Sequence, residues 1–176
     1  MAFTHLHVHT EYSLLDGSNK IKEYVRRVKE LGMDSAAITD HGVMYGVIDF
    51  YKACRAEGIR PILGCEVYVA PNSRFDKELT GGDDRYYHLV LLAENNTGYN
   101  NLTRIVSRGF TEGYYYKPRV DMELLQEFHE GIIALSACLA GEVQRYITKG
   151  LYDEAKKTAL KYQACFGKGN YFLELQ

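Results

Sequence analysis

The sequence predicts an α/β fold in which helices pack around a mainly parallel sheet. Short apolar runs typical of strands alternate with amphipathic segments typical of helices along the whole chain. Glycines or polar turns separate successive elements, as at Gly32 and Gly58. Because 176 residues suffice for one domain with one sizeable core, we expect a single domain over residues 1–176.

Six strands are expected, which is too many for a small sandwich and fewer than the eight of a standard (β/α)8 barrel. The first contains the alternating segment His5-Leu6-His7-Val8-His9, and the second ends at Asp40-His41-Gly42. The chain stops inside the sixth run without a closing helix, which suggests a fragment of a longer domain. The predicted strands are residues 3–10, 35–39, 60–70, 86–93, 131–137 and 171–176.

The helices are predicted from apolar residues at helical spacing. Ser18 or Asn19 is expected to cap the first helix, which ends near Leu31. Residues 71–85 form a polar surface loop that carries Gly81-Gly82-Asp83-Asp84, and a tyrosine-rich turn follows the third helix. The other predicted helices are residues 43–57, 97–110, 121–128, 140–149 and 153–165.

Composition and charge exclude several classes of protein. The net charge of −2 argues against a general nucleic-acid binder, so any such contact must be local or depend on bound metal ions. No stretch approaches the roughly 20 apolar residues of a membrane span, and the N-terminus shows no secretory signal. The four cysteines are scattered without metal-site spacing, and Cys54 and Cys165 are expected in the core. These features predict a cytoplasmic protein.

The first predicted strand carries an unusual row of histidines. Residues two apart in a strand point to the same face, so His5, His7 and His9 are expected to lie in one row. Three imidazoles make a poor core because each brings a polar nitrogen that needs a partner. Neutral imidazole is the commonest side-chain metal ligand, so this row indicates a metal site.

Other candidate ligands follow later strands. Asp40-His41 closes the second strand, Glu66 lies in the third, and Cys138 follows the fifth. In parallel α/β folds, functional groups gather where strands end, so convergence of these side chains at one rim is expected. His88 begins its strand instead of ending it and remains either structural or functional, whereas His129 is assigned to the surface.

Three segments carry a family resemblance. His5-Leu6-His7-Val8-His9-Thr10-Glu11-Tyr12-Ser13-Leu14-Leu15-Asp16-Gly17 closely resembles the first motif of the PHP (polymerase and histidinol phosphatase) domains at the front of bacterial DNA polymerase III alpha subunits. Ala37-Ile38-Thr39-Asp40-His41-Gly42 resembles the second motif, and Pro61-Ile62-Leu63-Gly64-Cys65-Glu66 the third. Tyr87-His88-Leu89 and Leu135-Ser136-Ala137-Cys138-Leu139 are also similar, and residues 112–119 resemble the polymerase branch.

The resemblance implies a distorted, TIM-like (βα)7 barrel that lacks its last strand here, with up to three metals at one end. It further implies that His7 and His9 bind the first metal, with Glu66 bridging to a second. His88 and Cys138 would complete the second site. The third metal would fall to Asp16 and His41, with Asp40 in or next to that shell and His5 outside the direct ligands. The family's final Asp and His would lie beyond Gln176, so an incomplete and weaker cluster is expected.

The resemblance also implies a function in DNA replication. The metals would be zinc, with manganese or iron as alternatives, and His7, His9 and Glu66 would be catalytic. The implied reaction is metal-dependent phosphoester hydrolysis at a DNA 3′ end, a proofreading 3′–5′ exonuclease within a DNA-directed DNA polymerase. Two alternatives are a silent scaffold that stabilises the polymerase and docks a separate exonuclease subunit, and a histidinol-phosphate phosphatase, which the polymerase-like segment disfavours.

Overall fold

The computed structural model describes residues 3–78 and 85–176, and within them a mixed sheet carries helices on its outer side. The predicted turn at residues 81–84 lies outside the described residues. The helices are α1 Ile21–Glu30, α2 Val47–Glu57, α3 Asn96–Thr111, α4 Met122–Glu127, α5 Glu142–Thr148 and α6 Tyr152–Phe166. The strands are β1 Ser35–Ile38, β2 Arg60–Val69, β3 Tyr87–Ala93, β4 Tyr114–Tyr115, β5 Lys117–Val120, β6 Ile132–Leu135 and β7 Tyr171–Phe172.

The long strand β2 organises the sheet. It pairs in parallel with β1 and β5 and antiparallel with β3, which in turn pairs antiparallel with β6. The prediction of a mainly parallel sheet was therefore wrong at β3. A parallel return normally needs a crossover helix, and the described residues between β2 and β3 contain none. As a result the start of β3 lies beside the end of β2, where His88 pairs with Tyr68.

The histidine-rich segment at the start of the chain is not a strand, contrary to prediction. Residues 3–9 lack a ladder and run beside the end of β1. Thr39 secures them: its backbone N–H donates to the Val8 carbonyl (2.9 Å), and its hydroxyl accepts from the Val8 N–H (2.8 Å). The alternation of apolar and polar residues therefore reflects side-chain placement, without the regular hydrogen bonding of a sheet.

Two further predictions required correction. The tyrosine-rich turn contains a short antiparallel hairpin, β4–β5, with Tyr116 at its tip. The first helix has Lys20 at its N-cap without a side-chain cap. Asn19 does not cap it because its side chain donates to the carbonyl of His9 (2.9 Å) instead. The remaining helices and the strands β1, β2, β3 and β6 are confirmed to within a few residues of their predicted bounds.

Two apolar clusters hold these layers together. One lies between the sheet and α3, α4 and α6 and contains Leu91, Leu102 and Ile105. The other packs α1 and α2 on β1 around Phe50. Cys54 and Cys165 are buried, as predicted. Among the helices of the described residues, none combines the length and apolar character that a membrane crossing requires.

Thr39→Val should destabilise the protein because the partly buried N–H of Val8 loses its acceptor. Leaving such a donor unpaired costs about 1–3 kcal/mol. Urea unfolding followed by circular dichroism measures this loss, and Thr39→Ser, which keeps the hydroxyl, should recover most of it. Equal midpoints for Thr39→Val and the wild type would contradict the assigned role of Thr39.

Candidate metal centre

A single buried carboxylate, Glu66, lies at the centre of the site. It projects from β2 and is 1% exposed. One of its oxygens, Oε2, contacts Nε2 of His7 and lies 2.9 Å from Nε2 of His9. The other, Oε1, contacts Nδ1 of His88 and lies 3.5 Å from Nδ1 of His41. One carboxylate thus joins four imidazoles from three separate segments of the chain.

The first pair of imidazoles is oriented from behind by residues that the sequence prediction missed. Nδ1 of His7 lies 2.8 Å from Oε1 of Glu174, and a carboxylate only accepts, so this nitrogen donates. Nδ1 of His9 lies 3.0 Å from the Ser13 hydroxyl. Ser13 donates to Asp40 (2.7 Å) and therefore accepts from His9. In both rings Nε2 faces Glu66. Glu174 and Ser13 carry no sequence signal of their own, since Glu174 is 167 positions from His7 along the chain and Ser13 lies in a turn.

Asp40 holds this turn and does not face the four imidazoles. Its carboxylate accepts from the Thr10 N–H (2.6 Å), the Thr10 hydroxyl (2.7 Å) and Ser13. Ser13 also accepts from the backbone N–H of His41 (3.1 Å). Asp40, predicted to lie in or near the metal shell, thus joins the first two motifs by hydrogen bonds. His5 is exposed and packs edge-on against Phe3, at 4.8 Å between ring centroids.

Asp16 and His41 form the outer side of the site. Oδ2 of Asp16 lies 2.6 Å from Nε2 of His41, whose ring stacks on that of His9 at 3.9 Å. The turn that presents Asp16 depends on Gly17, where a Cβ would lie 1.9 Å from the Thr10 carbonyl oxygen. The resemblance implied that Asp16 and His41 would share a metal, and the structure brings their side chains within hydrogen-bonding distance.

His88 and Cys138 lie on the inner side. Sγ of Cys138 is 3.6 Å from Nδ1 of His88, the nitrogen that also contacts Glu66. Sulfur and nitrogen ligands of a tetrahedral zinc ion are separated by about 3.5 Å, given Zn–S and Zn–N bonds of about 2.3 and 2.0 Å. The antiparallel direction of β3 explains why a residue at the start of a strand reaches this rim. His129, by contrast, is exposed and contacts the Gln126 carbonyl.

Backbone strain accompanies these ligands. Leu15, just before Asp16, and Ala137, just before Cys138, have φ values of 69° and 62°. Left-handed backbone costs such residues roughly 1–3 kcal/mol and is concentrated at functional sites. Among the described residues the only other non-glycine with positive φ is Tyr116.

The electrostatics of the site reflect one negative charge surrounded by imidazoles. Burial opposes ionisation of Glu66, but the neighbouring rings of His41, His7 and His88 outweigh it and hold its pKa far below the ordinary range. Burial likewise opposes charge on His7, yet Glu174 and Glu66 raise its pKa to about 10. The pKa of His88 rises to about 9 because Cys138 and Glu66 overcome its burial. The hydrogen bond with His88 lowers the pKa of the Cys138 thiol.

The donor set fits divalent cations. Three overlapping groups bring their ligand atoms within 4.8 Å of one another: His7, His9 and Glu66; His41, Glu66 and His88; and His9, Asp16 and His41. Nδ1 of His41, 3.5 Å from Oε1 of Glu66, is buried without a hydrogen-bond partner, as expected for an atom that a cation would join to this carboxylate. Imidazole, carboxylate and thiolate together suit zinc, manganese or iron. These residues can therefore hold a divalent metal cluster.

Comparison with known proteins identifies the family. The family model described as PHP domain matches residues 5–176. The chain belongs to the PHP domain family. DNA polymerase III subunit alpha of Treponema pallidum is 53% identical over the whole chain, that of Helicobacter pylori strain 26695 is 49% identical over 99% of it, and that of Thermus aquaticus is 44% identical over all of it.

This PHP domain spans about 15% of the length of each of those relatives. The match shows which part of a polymerase subunit the chain is similar to. A solved amidohydrolase from Chromobacterium violaceum with bound sulfate and no metal covers 61% of this chain and 36% of its own, at 22% identity and a TM-score of 0.40. That similarity is too remote to support any assignment.

Glu174→Ala should weaken zinc binding by about 10–100-fold, the usual effect of removing the partner of a metal-binding histidine. The reason is that His7 loses the acceptor that keeps its Nε2 directed at Glu66. Competition with a chromophoric chelator measures the affinity. Glu174→Gln, whose amide oxygen can still accept from His7, should lose less. Alanine at the exposed Glu130 is the control, and an equal loss there would contradict a specific role for Glu174.

Proposed function

We propose that the chain is a metal-dependent phosphoesterase domain of a replicative DNA polymerase III alpha subunit, acting as a 3′–5′ exonuclease on the 3′ end of a DNA strand. The observation that carries this proposal is the sharing of one buried carboxylate, Glu66, among four imidazoles. Such an arrangement would hold several cations side by side, as in the two-metal sites of many phosphatases and nucleases. The similarity to DNA polymerase III alpha subunits favours DNA as the substrate.

Each ligand has a proposed place. His7 and His9 hold one cation together with Glu66, and Glu66, His88 and Cys138 hold the second. Asp16 and His41 hold the third, with zinc preferred and manganese or iron as alternatives. Divalent cations bound there would increase the acidity of water and offset the charge of phosphate oxygens. His7, His9 and Glu66 are the residues we propose as catalytic.

The remaining residues orient these groups. Glu174 and Ser13 keep Nε2 of His7 and His9 turned inward, because each engages the opposite ring nitrogen. Asp40 fixes the turn on which Ser13 lies. Glu66 is surrounded by protein and inaccessible to bulk water, which strengthens its attraction for cations.

The same proposal extends to the wider fold and context. We infer that the seven strands of the described residues belong to a distorted (βα)7 barrel of the PHP type. Its partners would be a DNA 3′ end, the remainder of the polymerase and a separate exonuclease subunit, all in the cytoplasm. The polymerase relatives support this context without testing its parts.

Single-turnover hydrolysis of a 3′-mismatched primer tests the proposed reaction. His9→Ala should reduce the rate by about 100-fold or more, since even the partners of metal ligands are typically worth 10–100-fold. His129→Ala, which removes an exposed imidazole, is the matched control and should retain the wild-type rate. Equal rates for wild type and His9→Ala would exclude this role.

A chelator separates the exonuclease from a scaffold that only uses metals for structure. For a catalytic cluster, EDTA abolishes hydrolysis. A metal that binds only the folded state, present at a concentration of 100 times its Kd, adds about 2.7 kcal/mol of stability. For a purely structural cluster, EDTA would therefore lower the melting temperature, and the protein would show no hydrolysis at any metal concentration. Phosphate release from histidinol phosphate, compared with nucleotide release from the primer, tests the free-standing phosphatase alternative.

A further inference from the structure

An aromatic and basic surface borders the metal centre on one side. The ring of Tyr68 lies 5.3 Å from that of His88 and 6.2 Å from that of His41. Tyr86 stacks on His88 at 6.0 Å and meets Tyr68 edge-on at 4.8 Å. These contacts extend the site outward from the ligands through two tyrosine rings. We name the outer part of this surface, Arg85, Tyr86, Tyr116 and Lys117, the tyrosine lip.

The β4–β5 hairpin builds the exposed edge of the lip. Tyr115 pairs with Lys117, which leaves Tyr116 at the tip with φ of 61° and 62% of its surface exposed. A left-handed backbone is unfavourable for a bulky aromatic residue, and glycine or asparagine would serve a simple turn better. An exposed, strained tyrosine at this position therefore points to a role outside the fold.

Two exposed cations lie on this surface, one at the ring of Tyr116 and the other at the ring of Tyr68. The guanidinium carbon of Arg85 lies 5.0 Å from the ring centroid of Tyr116, and Nζ of Lys117 lies 5.4 Å from that of Tyr68. Within residues 3–78 and 85–176, neither forms an ion pair with a carboxylate. By contrast, the nearby buried Arg74 is paired with Asp121 and Glu112. Among the residues that the structure describes, Arg85 and Lys117 thus lack a carboxylate partner and present positive charge at the surface.

We propose that the tyrosine lip binds single-stranded nucleic acid and leads its end to Glu66; this rests on the proposed function. An unpaired base stacks on Tyr116, while Arg85 and Lys117 contact the flanking phosphates. Aromatic rings combined with a basic groove are the usual means of holding a single strand without reading its sequence. A base-paired strand has no free base face to offer, so the lip selects unpaired ends.

The charge distribution agrees with a local contact. The chain carries a net charge of −2, and the centre itself contains Glu66 and Asp16. The lip supplies positive charge next to that centre, so a strand can be held while its terminal phosphate meets the bound metals.

Fluorescence anisotropy with a labelled oligothymidylate tests the lip. The probe has about eight nucleotides, within the 4–16 that one strand-binding site covers, and phosphorothioate linkages at its 3′ end prevent hydrolysis. For the zinc-loaded chain, Tyr116→Ala should raise Kd at least about five-fold, since a stacked base contributes roughly 1–3 kcal/mol. Tyr116→Phe, which keeps the stacking surface, should bind like the wild type.

The salt dependence of binding tests the basic residues separately. Lys117→Gln should lower the slope of log Kd against log salt concentration by about 0.7, the value for one phosphate contact on a single strand. Tyr152→Ala and Lys156→Gln, at exposed positions of α6, are the matched controls and should change neither quantity. Thermal melting of each variant verifies folding.

The outcomes distinguish the lip from the reaction. Weakened binding confined to the lip variants supports the proposal. If the wild type fails to bind the probe, or if the lip and α6 variants bind equally, the lip is refuted. Hydrolysis of bis(p-nitrophenyl) phosphate by the wild type, with and without EDTA, tests the proposed function alone, because this small ester carries no strand. If the wild type does not hydrolyse this ester, the proposed reaction is refuted. The anisotropy measurements would still test whether the tyrosine lip binds a single strand.

Discussion

The contact between Glu66 and four imidazoles constrains the rest of the structure. Burying a carboxylate at 1% exposure is strongly unfavourable unless partners compensate its charge. Those partners come from the N-terminal segment, the end of β1 and the start of β3, so the sheet must bring three distant parts of the chain to one point. Without a metal, charged imidazoles fulfil this role, which explains the raised pKa values of His7 and His88. A cation would replace those protons with little rearrangement.

Residues that touch no candidate metal determine how accurately the ligands are placed. The N-terminal segment has no ladder, and a network of Asp40, Ser13 and Thr10 holds it instead. Ser13 serves both motifs at once, since it accepts from the His9 ring and from the backbone of His41. These hydrogen bonds explain why Asp40, although it precedes the candidate ligand His41, does not point toward the cluster. Orientation by hydrogen bonds of this kind matters nearly as much as the ligands themselves.

Sequence reasoning predicted the local features well and the long-range ones poorly. Alternation and strand ends located His7, His9, His41 and Glu66, because ligand spacing and strand termini are local properties. The residue pattern left His88 undecided between a structural and a functional role, since the direction of β3 depends on pairing with β2 and β6 and leaves no trace in the strand's own residues. Glu174 was missed for the same reason: 167 positions separate it from His7. The alternation of residues 3–9 led to the wrong prediction of a strand. Side chains can alternate between two faces of an extended segment without the backbone hydrogen bonds of a sheet.

Groups suited to binding cations and groups suited to binding a polyanion lie in different parts of this surface. The centre concentrates anionic and neutral donors for cations, whereas the positive charge that could hold a polyanion lies outside, on Arg85 and Lys117. Tyr68 joins them, since its ring contacts His41 and His88 on one side and Lys117 on the other. The left-handed backbone of Tyr116 costs stability, and within the described residues its exposed ring contacts Tyr115 and Arg85 at the surface of the protein. This combination favours the proposed contact with a phosphate-bearing strand over purely structural support.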